Sequence, residues 1–364
     1  MTYIEGLIKF ELKEPNSYGN IASIPRQDLY LLPTDLLDNI STGFSNTTFS
    51  ESSGYQILFD KASVAPFLSY DTESDALFGP SPAIQLVAQQ YSFFAFEAGI
   101  WVPPRNEVWF TSSIYNSHRH SQWRYYHNGT IYFTNIGIAN STAGSGSGVM
   151  AIDSATRIAT HVVNSYLGVP FNGIDDVTWA NKYGRCPAPK DRPIYLPDTV
   201  WRFDPQEQLL LPVISDDDIC IPNDFHINAN NSVLYVSDSG GNTLFGGGVG
   251  SSGTLPAIYR FDLDDDMFPI NKRLFGIARE GIAGGMHVDD YGRVCAVEFE
   301  GTTAQSSNGK VLGVFQGNYF VDSNMTVNEA KFAPAGDKVV VLAVEKIWVA
   351  QLEQSVVDAN RYDI

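Results

Sequence analysis

The feature that most constrains this sequence is a repeated strand–turn–strand unit. Gly99-Ile100-Trp101-Val102 is followed, across Pro103 to Asn106, by Glu107-Val108-Trp109-Phe110-Thr111. The same arrangement recurs at Phe225–Asn228 with Val233–Asp238, at Met286–Asp289 with Arg293–Val297, and at Lys331–Pro334 with Lys338–Leu342. A fifth copy runs from Asp176–Trp179 to Ile194–Asp198, stretched by a Pro-rich insertion around Cys186. Short β-branched and aromatic runs bounded by Gly, Pro, Asn and Asp read as antiparallel strands. A second hairpin alternates with the first, at Val149–Asp153 with Ile158–Val163, Thr199–Pro205 with Leu209–Val213, and Ala257–Asp262 with Arg273–Gly276. Two hairpins make one four-stranded sheet, and a period of roughly 40–60 residues for such a unit marks a β-propeller. The copies predict an all-β, six-bladed β-propeller, one domain spanning residues 1–364. The first ninety residues are less regular. Tyr55–Phe59 and Ala83–Val87 predict strands there, and Glu345–Leu352 is expected to share a blade with this region and close the ring.

Composition fits a large buried core, with 44% apolar and 13% aromatic residues among 364. Lys and Arg number 23 against 41 Asp and Glu, a net charge of −18. Such a surface repels polyphosphate and anionic lipid, so neither nucleic acid nor membrane is expected as a partner. Asn-x-Ser/Thr sequons at Asn39, Asn46, Asn128, Asn140, Asn230 and Asn324 sit in polar, turn-like stretches, where glycosylation acts. They point to passage through the secretory pathway. Met1-Thr2-Tyr3-Ile4-Glu5 lacks the basic start and apolar stretch of a signal peptide, so a signal removed beforehand is expected. Three cysteines are too few for a disulfide framework. Cys186 and Cys220 lie in loop-like segments that would allow one bridge, whereas Cys295 reads as a core thiol. The odd number leaves an intermolecular bridge, and with it a homodimer, open.

Four further segments come in a fixed order, each just before a copy of the repeated hairpin. They are Phe96-Glu97-Ala98-Gly99-Ile100-Trp101, Pro170-Phe171-Asn172-Gly173-Ile174-Asp175-Asp176-Val177, Ile221-Pro222-Asn223-Asp224-Phe225 and Gly281-Ile282-Ala283-Gly284-Gly285-Met286. Over residues 80–352 this resembles the regucalcin/gluconolactonase family of six-bladed propellers, particularly its secreted fungal branch. The resemblance implies a ring of side chains at the tops of the innermost strands that binds Ca²⁺ or Zn²⁺. By position that ring is Glu97, Asp175, Asn223 and Gly284, where the family has Glu, Asn, Asn and Asp. Glycine supplies no ligand, and the missing Asp is also the family's candidate general base. Hard cations want several oxygen ligands, so Glu97, Asp175 and Asn223 make at best a weak cation site, and no cofactor is expected. Without a metal, one of the facing acids Glu97 and Asp175 is expected to hold a proton.

His226 and His287 follow on the same strands, and period-two alternation brings His226 near the face of Asp224. Each also suits a purely structural role. Glu97, Asp175, Asn223 and His226 are the candidate catalytic residues; Phe96, Trp101, Asp224, Met286 and His287 are candidates for substrate contact. His118 and His120 flank a basic-aromatic stretch through Trp123, Tyr125 and Tyr126 that reads as a lid or an exposed loop. The glycines at 240–241 and 246–248 have no following helix to bind phosphate. Asp262 and Asp264–Asp266 lack calcium-loop spacing and read as a solvated turn.

Three functions fit these residues. A lactonase of the family's type would use metal to polarise a carbonyl and Asp to activate water. The fungal branch is also similar to the hetero-Diels–Alderases of tropolone–sesquiterpenoid biosynthesis. That resemblance implies a metal-free channel joining a tropolone quinone methide to a humulene-type alkene by preorganisation. A non-catalytic binding protein is the third. The vacancy at Gly284 favours the second, with small organic molecules as substrates.

Overall fold

Backbone pairing turns the repeated hairpins into sheets. The computed structural model describes residues 2–4, 7–32, 49–92, 94–95, 97–111, 121–135, 147–174, 176–178, 183–185, 196–197, 199–240, 255–278, 281–321 and 331–358. Among these, six sheets have four or more strands, arranged as a β-propeller. Their innermost strands are Glu97–Val102, Ser121–His127, Val177–Thr178, Pro222–Ile227, Gly285–Val288 and Lys331–Ala335. We number the sheets first to sixth in that order. Each inner strand neighbours the next, and the sixth returns to the first. Against the expected six blades stand five four-stranded sheets and a fifth sheet of six strands, which takes Phe67–Ser69 and Ile21–Ser23 as additions.

The amino-terminal ninety residues are shared among three sheets. Leu7–Glu11 pairs with Glu107–Thr111 in the first, and Phe67–Ser69 pairs with Val311–Gln316 in the fifth. Ala83–Gln89 pairs antiparallel with Lys346–Gln351 in the sixth, so strands from both ends of the chain build one sheet. The close approach of the sixth and first inner strands depends on Gly99. A Cβ there would lie 2.4 Å from the Ala333 Cβ and 3.0 Å from Leu342 Cδ1.

Three expectations are corrected. Tyr55–Phe59 is not a strand but part of the helix Ser53–Ala62. Its apolar residues serve a helical face, with Phe59 and Ala62 buried and Tyr55 and Leu58 packed beside them. The 121–127 part of the expected lid is the inner strand of the second sheet, paired with Thr130–Asn135. Tyr125 and Tyr126 are both buried there. In the third sheet Val177–Thr178 pairs with Tyr183–Arg185, which pairs in turn with Val200–Asp204, so the second strand is Tyr183–Arg185; most of the expected 194–198 strand lies outside the described residues. The partner precedes the insertion because a short turn closes a hairpin more readily than a long loop.

Gly99→Ala should overpack the junction of the first and sixth sheets and cost roughly 1–3 kcal/mol. Adding Ala333→Gly should recover part of that loss. Urea midpoints of the two variants and the parent test this; an unchanged midpoint for Gly99→Ala would refute the packing account.

Candidate functional site

All six inner strands converge on a small cavity of roughly 50 Å³. Gly99 and Ile100 come from the first strand, Tyr125 from the second, and Val177 and Thr178 from the third with Asp176 just before it. Asp224, Phe225 and His226 come from the fourth, Met286 and His287 from the fifth, and Phe332 and Pro334 from the sixth. Contributions from every strand place this cavity in the central channel.

Two aspartates dominate its chemistry, both 2% exposed. Phe225 N–H donates to Asp176 Oδ2 at 3.0 Å, and Val177 N–H donates to Asp176 Oδ1 at 2.6 Å. One sheet further on, Met286 N–H donates to Asp224 Oδ2. Asp224's own N–H donates to Ser237 Oγ at 2.9 Å. Burial pushes the Asp224 carboxyl up to about 6, opposed by its hydrogen bond to Asp176, by the Met286 and Phe225 amides, and by the charge of Lys331. Lys331 is itself buried, at the start of the sixth inner strand.

The histidines extend this cluster. Val288 N–H donates to His226 Nδ1 at 3.2 Å, so the neutral ring carries its proton on Nε2. The His226 and His287 rings meet edge to face with centroids 4.7 Å apart. Both line the cavity.

The sequence-derived candidates divide. Asp224, His226, Met286 and His287 meet in the channel. Trp101 packs instead into the apolar clusters flanking the first sheet. Asn223 Nδ2 donates to the Ala283 carbonyl at 3.5 Å, across the fourth and fifth sheets. The backbone of Glu97 pairs with Thr111, but its side chain lies outside the described residues, as do Phe96, Asp175, Cys186, His118 and His120. Of the sequons, Asn128 and Asn230 occupy exposed turns; Asn39, Asn46, Asn140 and Asn324 lie outside the described residues. Cys295 is buried, its thiol pushed up to about 12 by burial. Asp264 Oδ1 accepts from the Asp266 and Phe268 amides, closing an exposed turn.

Asp176, Thr178 and Lys331 were not among the sequence-derived candidates, and Tyr125 entered only as part of the expected lid or exposed loop. A signal for Asp176 exists: Asp175-Asp176-Val177 and Asn223-Asp224-Phe225 are the same pattern, and its second position carries the buried acid.

The family's cation fits poorly. Gly284 offers no side chain, and its N–H donates to the Val297 carbonyl at 2.8 Å. Asp224 already accepts backbone hydrogen bonding, and Asp289, four residues beyond the fifth inner strand's start, is paired with Arg293 at 2.6 Å. Neither replaces the missing acid. Among the described residues no group of three or more His, Cys, Asp or Glu is placed to hold a metal.

An apolar chamber of about 200 Å³ adjoins the channel between the second and third sheets. Tyr125, Val177 and Thr178 line both spaces.

No protein-family model matches the chain. It is 23% identical over 331 residues to the lactonohydrolase oryL of Aspergillus oryzae, covering 77% of this chain and 74% of that one. A gluconolactonase from Xanthomonas campestris superimposes with a TM-score of 0.60 at 16% identity, over 78% of this chain and 93% of the other. Regucalcin, a calcium-binding protein of Agrobacterium tumefaciens, does so with a TM-score of 0.52 at 11% identity, over 76% and 95%.

Because folding holds the Asp224 proton more tightly than the unfolded chain does, its contribution to stability is complete below about pH 4. It is lost as pH rises through about 6. Relative to Asp224→Asn, the parent should lose on the order of 3 kcal/mol between pH 4 and pH 7. Chemical denaturation of both proteins across that range measures it; parallel pH profiles would contradict a raised carboxyl.

Proposed function

We propose that this gluconolactonase-like β-propeller is an enzyme that converts a small organic molecule in its central channel by acid–base chemistry, and that the reaction is the opening of a lactone. One observation carries the reading: the Asp176–Asp224–His226–His287 cluster lies beside an apolar chamber, with Tyr125, Val177 and Thr178 lining both spaces. Such a site suits a substrate with a polar, reactive end and an apolar end. The lactonohydrolase name of the Aspergillus relative supports the choice of reaction.

In this reading His226, its Nδ1 engaged by Val288, offers Nε2–H to the carbonyl oxygen where negative charge develops. His287 takes a proton from water as the water oxygen bonds to the carbonyl carbon. The ring C–O bond then breaks and the same proton passes to the departing oxygen, leaving a hydroxyl and a carboxylic acid that ionises into solvent. Asp224 and Asp176 fix the fourth and fifth inner strands on which the histidines stand.

A second reading, hetero-Diels–Alder cycloaddition of a tropolone quinone methide with a humulene-type alkene, draws on Gly284. That reaction needs neither a fourth ligand nor a general base, only apolar surfaces and hydrogen-bond donors that orient the partners.

An alkyl-substituted lactone such as γ-nonalactone should be hydrolysed with undiminished kcat/KM in EDTA, followed by proton release in a weakly buffered indicator assay. His287→Ala should lower kcat/KM by about 10²-fold or more, the usual scale of a lost acid–base group. Loss of activity in EDTA, restored by Ca²⁺, would overturn the metal-free mechanism. Absence of hydrolysis, together with adduct formation from the quinone methide and humulene, would install the second reading.

A further inference from the structure

We infer that Asn128 and Asn230 both carry N-linked oligosaccharides, on the one face of the propeller where the inner hairpins turn. Each begins an Asn-x-Ser/Thr acceptor, as Asn128-Gly129-Thr130 and Asn230-Asn231-Ser232. Both asparagines are exposed, and neither lines the channel.

Turn chemistry accounts for only part of each acceptor. Asn128 (φ 46°) and Gly129 (φ 79°) join Ser121–His127 to Thr130–Asn135, a two-residue turn that favours Asn-Gly. Asn128 Nδ2 lies 3.4 Å from His127 Nε2 in an exposed contact. The turn does not need a hydroxyl at Thr130, whose side chain makes no hydrogen bond among the described residues. The turn after Pro222–Ile227 is closed by Asn228, whose Oδ1 accepts from the Ser232 and Val233 amides, both at 2.9 Å. Asn230 adds a bond within its own sequon, Ser232 Oγ donating to its Oδ1 at 2.6 Å.

The two turns share a face. The fourth and fifth inner strands run side by side in one sense, because Asp224 and His226 receive the amides of Met286 and Val288. The turns that follow them, holding Asn230 and Asp290, therefore lie at the same end. Residues 352–358 connect that end to the second sheet. Asp290 N–H donates to the Val357 carbonyl at 3.1 Å, and the Val357 side chain packs with Val102 and Tyr126 near the ends of the first and second inner strands. Asn128 follows Tyr126 by two residues. Asp176 and Asp224 lie near the starts of their strands, toward the other end. Sugars on the turn face thus leave that end of the channel uncovered.

The modification joins Asn Nδ2 to the anomeric carbon of an oligosaccharide carried on a polyprenyl diphosphate. The N–C bond forms and the anomeric C–O bond breaks. The diphosphate leaves with the bonding electrons, and the amide releases one proton to solvent. The donor and its transferase belong to the secretory pathway, so the chain passes through it.

Protein isolated from the organism that makes it, treated with PNGase F in heavy-oxygen water and mapped by peptide mass spectrometry, tests this. Both positions should read as oxygen-labelled aspartate. Thr130→Ala and Ser232→Ala, expressed in the same organism, should each lose one sugar. Thr130→Ser and Ser232→Thr, which keep the acceptor, should retain it, a rescue that no structural role of the hydroxyls explains. If an alanine variant does not fold, the map of the native protein decides alone. Unlabelled asparagine at either position, a sugar that survives loss of its hydroxyl, or equal labelling without PNGase F, as from spontaneous deamidation at Asn128-Gly129, would each overturn the assignment.

Discussion

The ring depends on how its innermost strands dispose of their free edges. An inner strand pairs on one side only, so every second N–H faces the neighbouring sheet with no ladder partner. Here the preceding inner strand provides the acceptor. Asp176 receives Phe225 N–H, Asp224 receives Met286 N–H, and His226 receives Val288 N–H. Met286 and Val288 are two residues apart, as the strand period requires of two amides on one edge. These clasps tie the third sheet to the fourth and the fourth to the fifth through short, directional contacts that apolar packing between sheets lacks. The cost is a pair of carboxyl groups shut away from water. A hydrogen bond between them and the charge of Lys331 offset it.

That arrangement couples architecture to chemistry. The groups that hold adjacent sheets together are also the polar groups of the channel, so the fold itself fixes their orientation. Preorganised donors and acceptors are most effective where water is scarce. His226 shows the economy of the device: one ring nitrogen is spent on the Val288 amide, and the other is thereby fixed as a donor.

Much of this was legible in the residues because propeller hairpins alternate with period two and their turns are marked by Gly, Asn and Asp. Four inner hairpins, beginning at Gly99, Phe225, Met286 and Lys331, stand as the alternation predicts. The reading stumbled where a local pattern has two physical solutions. Tyr55–Phe59 has apolar residues that suit either a strand or a helix, and only packing against Ala22, Leu68 and Val314 selects the helix. Arg124-Tyr125-Tyr126 looks like a basic, aromatic surface loop, yet its tyrosines are buried between sheets. At the site, alternation set His226 near the face of Asp224, and both line the channel together with His287. Asp176 was overshadowed by Asp175, the residue at the family's ligand position. Lys331 gave no signal, because a lysine at the head of a strand is ordinarily solvated; its burial arises from ring closure, a long-range event.

Gly284 is best understood against that background. At the fourth and third inner strands, a potential ligand is followed directly by a clasping acid, as Asn223-Asp224 and Asp175-Asp176. At the fifth the corresponding pair is Gly284-Gly285, so ligand and clasp vanish together. The backbone there instead donates Gly284 N–H to Val297. His287 stands two residues further on, against His226. Polarity at this part of the channel is thus supplied by imidazole, not carboxylate. The apolar chamber lies beside this channel, so the lining grades from imidazole and carboxyl at the axis to hydrocarbon between the second and third sheets.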